Sequence, residues 1–169
     1  MLMIEIIAVL HIFLMLLNSF YAFLFKKSWF DYVYLLFVYS IVLHWTFLNG
    51  ECIITYVFKK LENKHYIAGS HVTDSEVKRF LNLSDTNMNN LMTLHVLLVQ
   101  VNIILVVLRN KIPIHLYFIY FALTILNYVG CKWFKSNLDK KYLLFQEVMK
   151  YTLIAYGIYA LWVLRKRFK

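Results

Sequence analysis

Five long apolar runs dominate this sequence, each about the 20 residues that a helix needs to cross the hydrocarbon core of a bilayer. They cover 2–25, 29–48, 91–108, 112–131 and 142–164. Lys26 with Lys27, Arg109 with Lys111, and Arg165, Lys166, Arg167 and Lys169 close three of them. Apolar and polar residues do not alternate along the runs, so the strand pattern of a membrane β-barrel is absent. Inside lipid the backbone must satisfy its own hydrogen bonds, which leaves helices. The runs therefore predict an all-α, polytopic transmembrane bundle forming a single domain over 1–169. The fifth run is the most interrupted, by Glu147 and Lys150, which at i, i+3 can pair on one helix face.

Composition agrees with this reading: 62% of the residues are hydrophobic and 16% charged, against about half and a quarter in soluble domains. A soluble globular enzyme, a disordered tail and a collagen-like rod are excluded on that ground. The two cysteines, Cys52 and Cys131, define no disulfide framework. The net charge of +9 points away from nucleic acid, because the cations cluster at the ends of apolar runs, as topology determinants do. The N-terminal run lacks a basic leader and a small-residue cleavage site, so it reads as a retained span. Counting cations in the short loops predicts an N-out, C-in orientation, with Lys132, Lys135, Lys140 and Lys141 counting against it.

Residues 49–90 form a long extramembrane loop with structure of its own. Thr73 followed by Glu76 is a capping box, and Val77, Phe80 and Leu81 make an apolar stripe, which predicts a short amphipathic helix over 74–83. Asn82-Leu83-Ser84 is a glycosylation sequon.

Polar residues inside spans are costly and face the bundle interior. Here they fall on helix faces: His11 with Asn18; Ser40 with His44 and, if the second helix runs past Gly50, Glu51 and Thr55; His95 with Asn102; and Tyr120, Thr124, Asn127 and Cys131. The last run offers Glu147, Lys150, Tyr156 and Tyr159. With the N-terminus outside, Glu5, His11, His44, Glu51, His95, Asn127 and Glu147 share the outer half of the membrane. His11, His44, His95 and Glu51 are candidate ligands of a divalent metal, although neither an HExxH nor an ExxH pattern is present. Ser40, His44, Glu51, His95, Asn102, Asn127 and Glu147 are candidates for a polar pathway. The competing reading is that these groups make interhelical hydrogen bonds that fix packing. Cys52 beside Glu51 reads as an inert small residue, because a neighbouring carboxylate disfavours the thiolate. Trp29, Trp133 and Trp162 lie at run ends, as interface anchors do.

Leu10-His11 in the first run, Trp29 opening the second, Cys52-Ile53-Ile54-Thr55 after it and then Leu61-Glu62 resemble the pattern of a family of small bacterial membrane proteins of unknown function. That family has Pro where Ile53 stands and a shorter spacing from Thr to Glu. The resemblance covers 5–70 and implies architecture only. The richness in Ile, Lys, Asn, Tyr and Phe suggests an AT-rich genome, such as that of a large DNA virus or a protist. The expected function is non-enzymatic assembly or scaffolding in a viral, endoplasmic-reticulum or plasma membrane. Its expected partners are the bilayer and a second copy or a membrane protein, and not nucleic acid. The alternatives are a conduit for protons, ions or small solutes and a membrane-embedded metal-dependent enzyme.

Overall fold

The computed structural model describes residues 2–70, 75–133 and 140–165, without the side chains of 2–4, 132 and 133. Among the described residues it contains seven helices and no strand. They are α1 (Leu2–Leu24), α2 (Phe30–Phe47), α3 (Ile53–Glu62), α4 (Glu76–Phe80), α5 (Asp85–Arg109), α6 (Ile114–Trp133) and α7 (Lys140–Arg165). Four stretches among the described residues are long and apolar enough to cross a membrane: Glu5–Leu24, Phe30–Phe47, Asp85–Arg109 and Ile114–Cys131. This is consistent with an integral membrane protein. The fifth apolar run coincides with α7, whose first half carries Lys140, Lys141, Glu147 and Lys150 and which is not among the four.

Local chemistry sets the helix ends. α2 stops at Phe47 because Asn49 (φ 52) and Gly50 (φ 85) take the left-handed conformation that closes helices. The second helix therefore does not continue to Glu51 and Thr55, which belong to the turn and to α3. Ser75 caps α4 by accepting from Lys78 N at 3.1 Å; the expected cap, Thr73, lies outside the described residues. Ser84 caps α5 in the same way, accepting from Asn87 N at 3.2 Å. That cap starts α5 at Asp85, a turn and a half before the apolar run begins at Leu91.

The long helices alternate in direction. One end of the bundle gathers the start of α1, the α2–α3 turn, α3, α4, the start of α5, the end of α6 and the start of α7. The other end gathers the α1–α2 and α5–α6 turns and the end of α7. α1 packs on α5, α4 and α3; α7 packs on α6 and α2; α5 and α6 join the two groups. Val38, Val42, Ile103, Val106, Tyr120 and Leu153 centre the apolar core.

The distribution of polarity is inverted relative to a soluble protein. Asp31, Asn102, Asn127, Gln146 and Glu76 have no exposed surface, whereas Leu36 is 64% and Leu161 68% exposed. Outward apolar side chains and inward polar ones are what a lipid solvent selects.

α2 and α7 approach closely at Gly157, where a Cβ would collide with the Tyr39 hydroxyl and ring. That hydroxyl donates to Leu153 O at 2.6 Å. Gly157→Ala is expected to displace Tyr39, break this bond and destabilise the bundle by about 1–3 kcal/mol. Unfolding in mixed micelles measures the loss, and the double variant Gly157→Ala/Tyr39→Phe should lose less than the sum of the two single changes.

Candidate functional site

Glu51 organises the end of the bundle that carries α3 and α4. The left-handed turn at Asn49 and Gly50 swings the chain off α2 and buries Glu51, which is 1% exposed. Its Oε1 accepts from Lys59 Nζ at 2.6 Å and from Tyr66 OH at 2.9 Å, and its Oε2 from Gly69 N at 3.2 Å. Lys59 is itself 4% exposed, so the pair is a buried ion pair around which 51–69 fold. Glu51 is thus engaged with Lys59, and Cys52 turns instead to α1.

Cys52 is the N-cap of α3 and stands with its Sγ 3.5 Å from His11 Nε2. His11 Nδ1 donates to Glu76 Oε1 from the first turn of α4. That bond leaves Nε2 as the ring atom free to accept the thiol proton. Thr55 Oγ1 also donates to Glu76 Oε1, at 3.4 Å. Glu76 Oε2 has no hydrogen-bond partner among the described residues, although the side chain is fully buried. The carboxylate is held in place by its support: Arg79 Nη1 bridges both oxygens of Glu62 at 2.8 and 3.0 Å, tying α4 to α3. Cys52 is only half-buried. Thiol, imidazole and carboxylate therefore stand in the serial order of a nucleophile, its base and the group that orients the base.

Three further features bear on chemistry. The N–H groups of Ile53 and Ile54 open α3 without intrahelical acceptors, and Cys52 makes no side-chain cap that would occupy them. His11 engages different partners through its two nitrogens, so Cys52 and Glu76 do not converge on a shared point. Among the described residues, no three His, Cys, Asp or Glu side chains are grouped as a metal would require.

The other candidate residues are dispersed. His95 Nδ1 lies 2.8 Å from Ser19 Oγ. His44 sits half-buried in the last turn of α2, away from both. Ser40 donates to Phe37 O in its own helix at 2.7 Å, and exposed Glu147 pairs with Lys150 at 2.5 Å. Asn127 bonds Thr46 at 3.1 Å and Gln146 at 3.3 Å. Asn102 is built into the backbone of α1, accepting from Ala22 N at 2.7 Å and donating to Ser19 O. At the far end Asp31, fully buried, receives Arg109 through Nε at 2.8 Å and through Nη2, with Asn110 at 2.5 Å and Tyr21 at 3.1 Å. Of the four metal candidates, His11 belongs to the Cys52 constellation and Glu51 supports it from behind.

The chain matches no family model, no curated protein and no solved structure. His11, Cys52 and Thr55 meet in this cluster, and Glu62 braces it.

Glu76 reports whether α4 is joined to α1. Burial is the largest single influence and would raise its pKa, but the hydrogen bond and charge of His11, with the hydrogen bond from Thr55, together outweigh it and hold the carboxyl below the usual range. A depressed carboxyl contributes stability above its unfolded pKa, about 4.3, and that contribution is lost as pH falls through the lower folded value. Acidification below about pH 4 is therefore expected to release α4 from α1. Limited proteolysis within 63–84 should rise there, and Glu76→Gln should show the same cleavage already at pH 7.

Proposed function

We propose that this protein is a membrane-embedded thiol enzyme of the acyl-transfer class, with Cys52 as nucleophile, His11 as general base and Glu76 as the group that orients His11. The observation that carries this reading is the Cys52 Sγ to His11 Nε2 approach of 3.5 Å with Glu76 on the other ring nitrogen. In the reaction His11 takes the thiol proton as sulfur attacks an acyl carbon. The N–H groups of Ile53 and Ile54, which open α3 next to Cys52 in the chain, supply donors for the developing oxyanion. His11 then returns the proton to the leaving group, and water or another nucleophile releases the acyl group by the reverse proton path. The chain spans the bilayer five times, α7 being the fifth span, with its N-terminus and this site on the outer side and its basic C-terminus inside. The inverted polarity and the clustering of Lys26, Lys27, Arg109 and Lys111 at the opposite end support that orientation.

The test is acylation of the detergent-solubilised protein by a short-chain, water-soluble acyl thioester. The adduct should map to Cys52, be released by hydroxylamine and be absent in Cys52→Ala. His11→Ala should slow its formation by about 10²–10⁴-fold. If Cys52 stays unmodified, or if His11→Ala reacts at the wild-type rate, the assignment is wrong.

A second reading, a path for small polar solutes, is favoured by one observation. Asn18 Oδ1 and Gln100 Oε1 are buried without hydrogen-bond partners among the described residues, in a cleft that His95, Thr124 and Tyr120 also line. Proteoliposome flux that falls in Gln100→Leu would favour that path over acyl transfer.

A further inference from the structure

The helix that carries Cys52 is built inside out. α3 buries Thr55 and Lys59 together with Phe58, and exposes Ile53, Val57 and Leu61 along the i, i+4, i+8 line of one face. In water this arrangement would bury a charge and expose a hydrocarbon stripe for no gain. Against lipid it is the favourable arrangement. Ile67, 62% exposed, extends the apolar surface beyond the helix.

Charge is arranged in step with this stripe. Lys60 lies on the same face in the last turn of α3, its ammonium donating to Lys64 O at 3.0 Å. Exposed Lys64 and His65 follow. The cationic end of α3 thus belongs at the headgroups, and the Cys52 end belongs deeper. The depth of His11 agrees: at 1.5 Å per residue it lies about 9 Å inside Glu5 along α1. The polar interfacial zone of a leaflet is about 5–8 Å thick, so Cys52 meets the bilayer near the level of the glycerol ester groups.

From this placement we infer that the acyl donor is a membrane glycerolipid, reached laterally from the outer leaflet past the Ile53, Val57 and Leu61 face. The inference rests on the acyl-transfer reading of Cys52 and adds the substrate class. Sulfur attacks the ester carbonyl carbon, a C–S bond forms and the C–O bond to glycerol breaks. His11 carries the thiol proton to the glycerol oxygen, leaving a lysolipid and an S-acyl Cys52. Water then attacks the thioester, giving a free fatty acid and restoring the thiol. Lys60 and Lys64 hold the lipid phosphate at the rim, as long cationic side chains do at headgroups.

The experiment reconstitutes the full-length protein in phosphatidylcholine vesicles whose lipid carries an alkyne at the end of one acyl chain. The expected result is a hydroxylamine-sensitive label on Cys52, with lysolipid equal to the label plus the fatty acid released, all absent in Cys52→Ala. The double variant Val57→Gln/Leu61→Gln changes only exposed side chains. It should lose the vesicle label at least fivefold while reacting with the soluble thioester at the wild-type rate. Acylation by the soluble thioester without any label from the vesicles overturns the lipid assignment and leaves the thiol enzyme standing. Vesicle labelling that ignores the double variant overturns the lateral route. Failure with both donors overturns the enzyme itself.

Discussion

Arg109→Ala should destabilise the folded protein by about 3–5 kcal/mol, the cost of stranding a buried charge. Asp31 is fully buried at the start of α2 and takes two bonds from the guanidinium fork. The same guanidinium donates to Ala22 O at 3.2 Å and Phe25 O at 2.7 Å, closing the end of α1. One side chain therefore joins the ends of α1 and α5 to the start of α2. Without it Asn110 and Tyr21 remain as neutral donors, too few for a carboxylate out of water. Denaturant titration in mixed micelles measures the loss. Arg109→Lys should recover part of it, because an ammonium supplies the charge without the fork. The double variant Asp31→Asn/Arg109→Met should lie closer to wild type than Arg109→Ala. Equal stability of Arg109→Ala and wild type would show that the cluster contributes nothing.

Lys59→Met should be comparably severe, about 3–5 kcal/mol, because it removes the cation that partners Glu51 in a place sealed from solvent. Its consequence reaches the thiol. Glu51 fixes the turn that aims Cys52 at His11, so loss of Lys59 should also remove the His11-dependent reactivity of Cys52. The companion Glu51→Gln/Lys59→Met replaces the ion pair with a neutral contact that still bonds Tyr66 and Gly69. It should regain most of the stability and the reactivity together. Stability regained without reactivity would separate the fold of the turn from the aim of the thiol.

The helical architecture was legible because its signal is long: runs of about 20 apolar residues leave few alternatives. The inward placement of His11, Asn102 and Asn127 was legible for the same reason, since polar groups in such runs avoid lipid. The thiol cluster was not. Cys52 was judged beside Glu51, its neighbour in sequence, whereas a left-handed turn hands Glu51 to Lys59. Glu76 was visible only as part of a helix start, because its partner lies 65 residues away on α1. α3 is legible only as a possible continuation of α2, because a run of ten residues is too short to register as a span, although Ile53, Val57 and Leu61 carry the helical period. Ser75 followed by Glu76 is the available local cue to α4. It does not indicate what faces α4 across the bundle.

The insertion of Asn102 into α1 has a consequence for biosynthesis. α1 leaves the ribosome before α5, yet Ser19 O waits for an amide 83 residues further along. At about 5–20 residues per second that delay is on the order of 4–16 s. Until α5 arrives, the face of α1 that carries His11, Asn18 and Ser19 has none of its α5 partners. The nascent helix must spend that interval at a polar protein surface or loosely seated in the bilayer. Its final seating is a late event, timed by the emergence of α5.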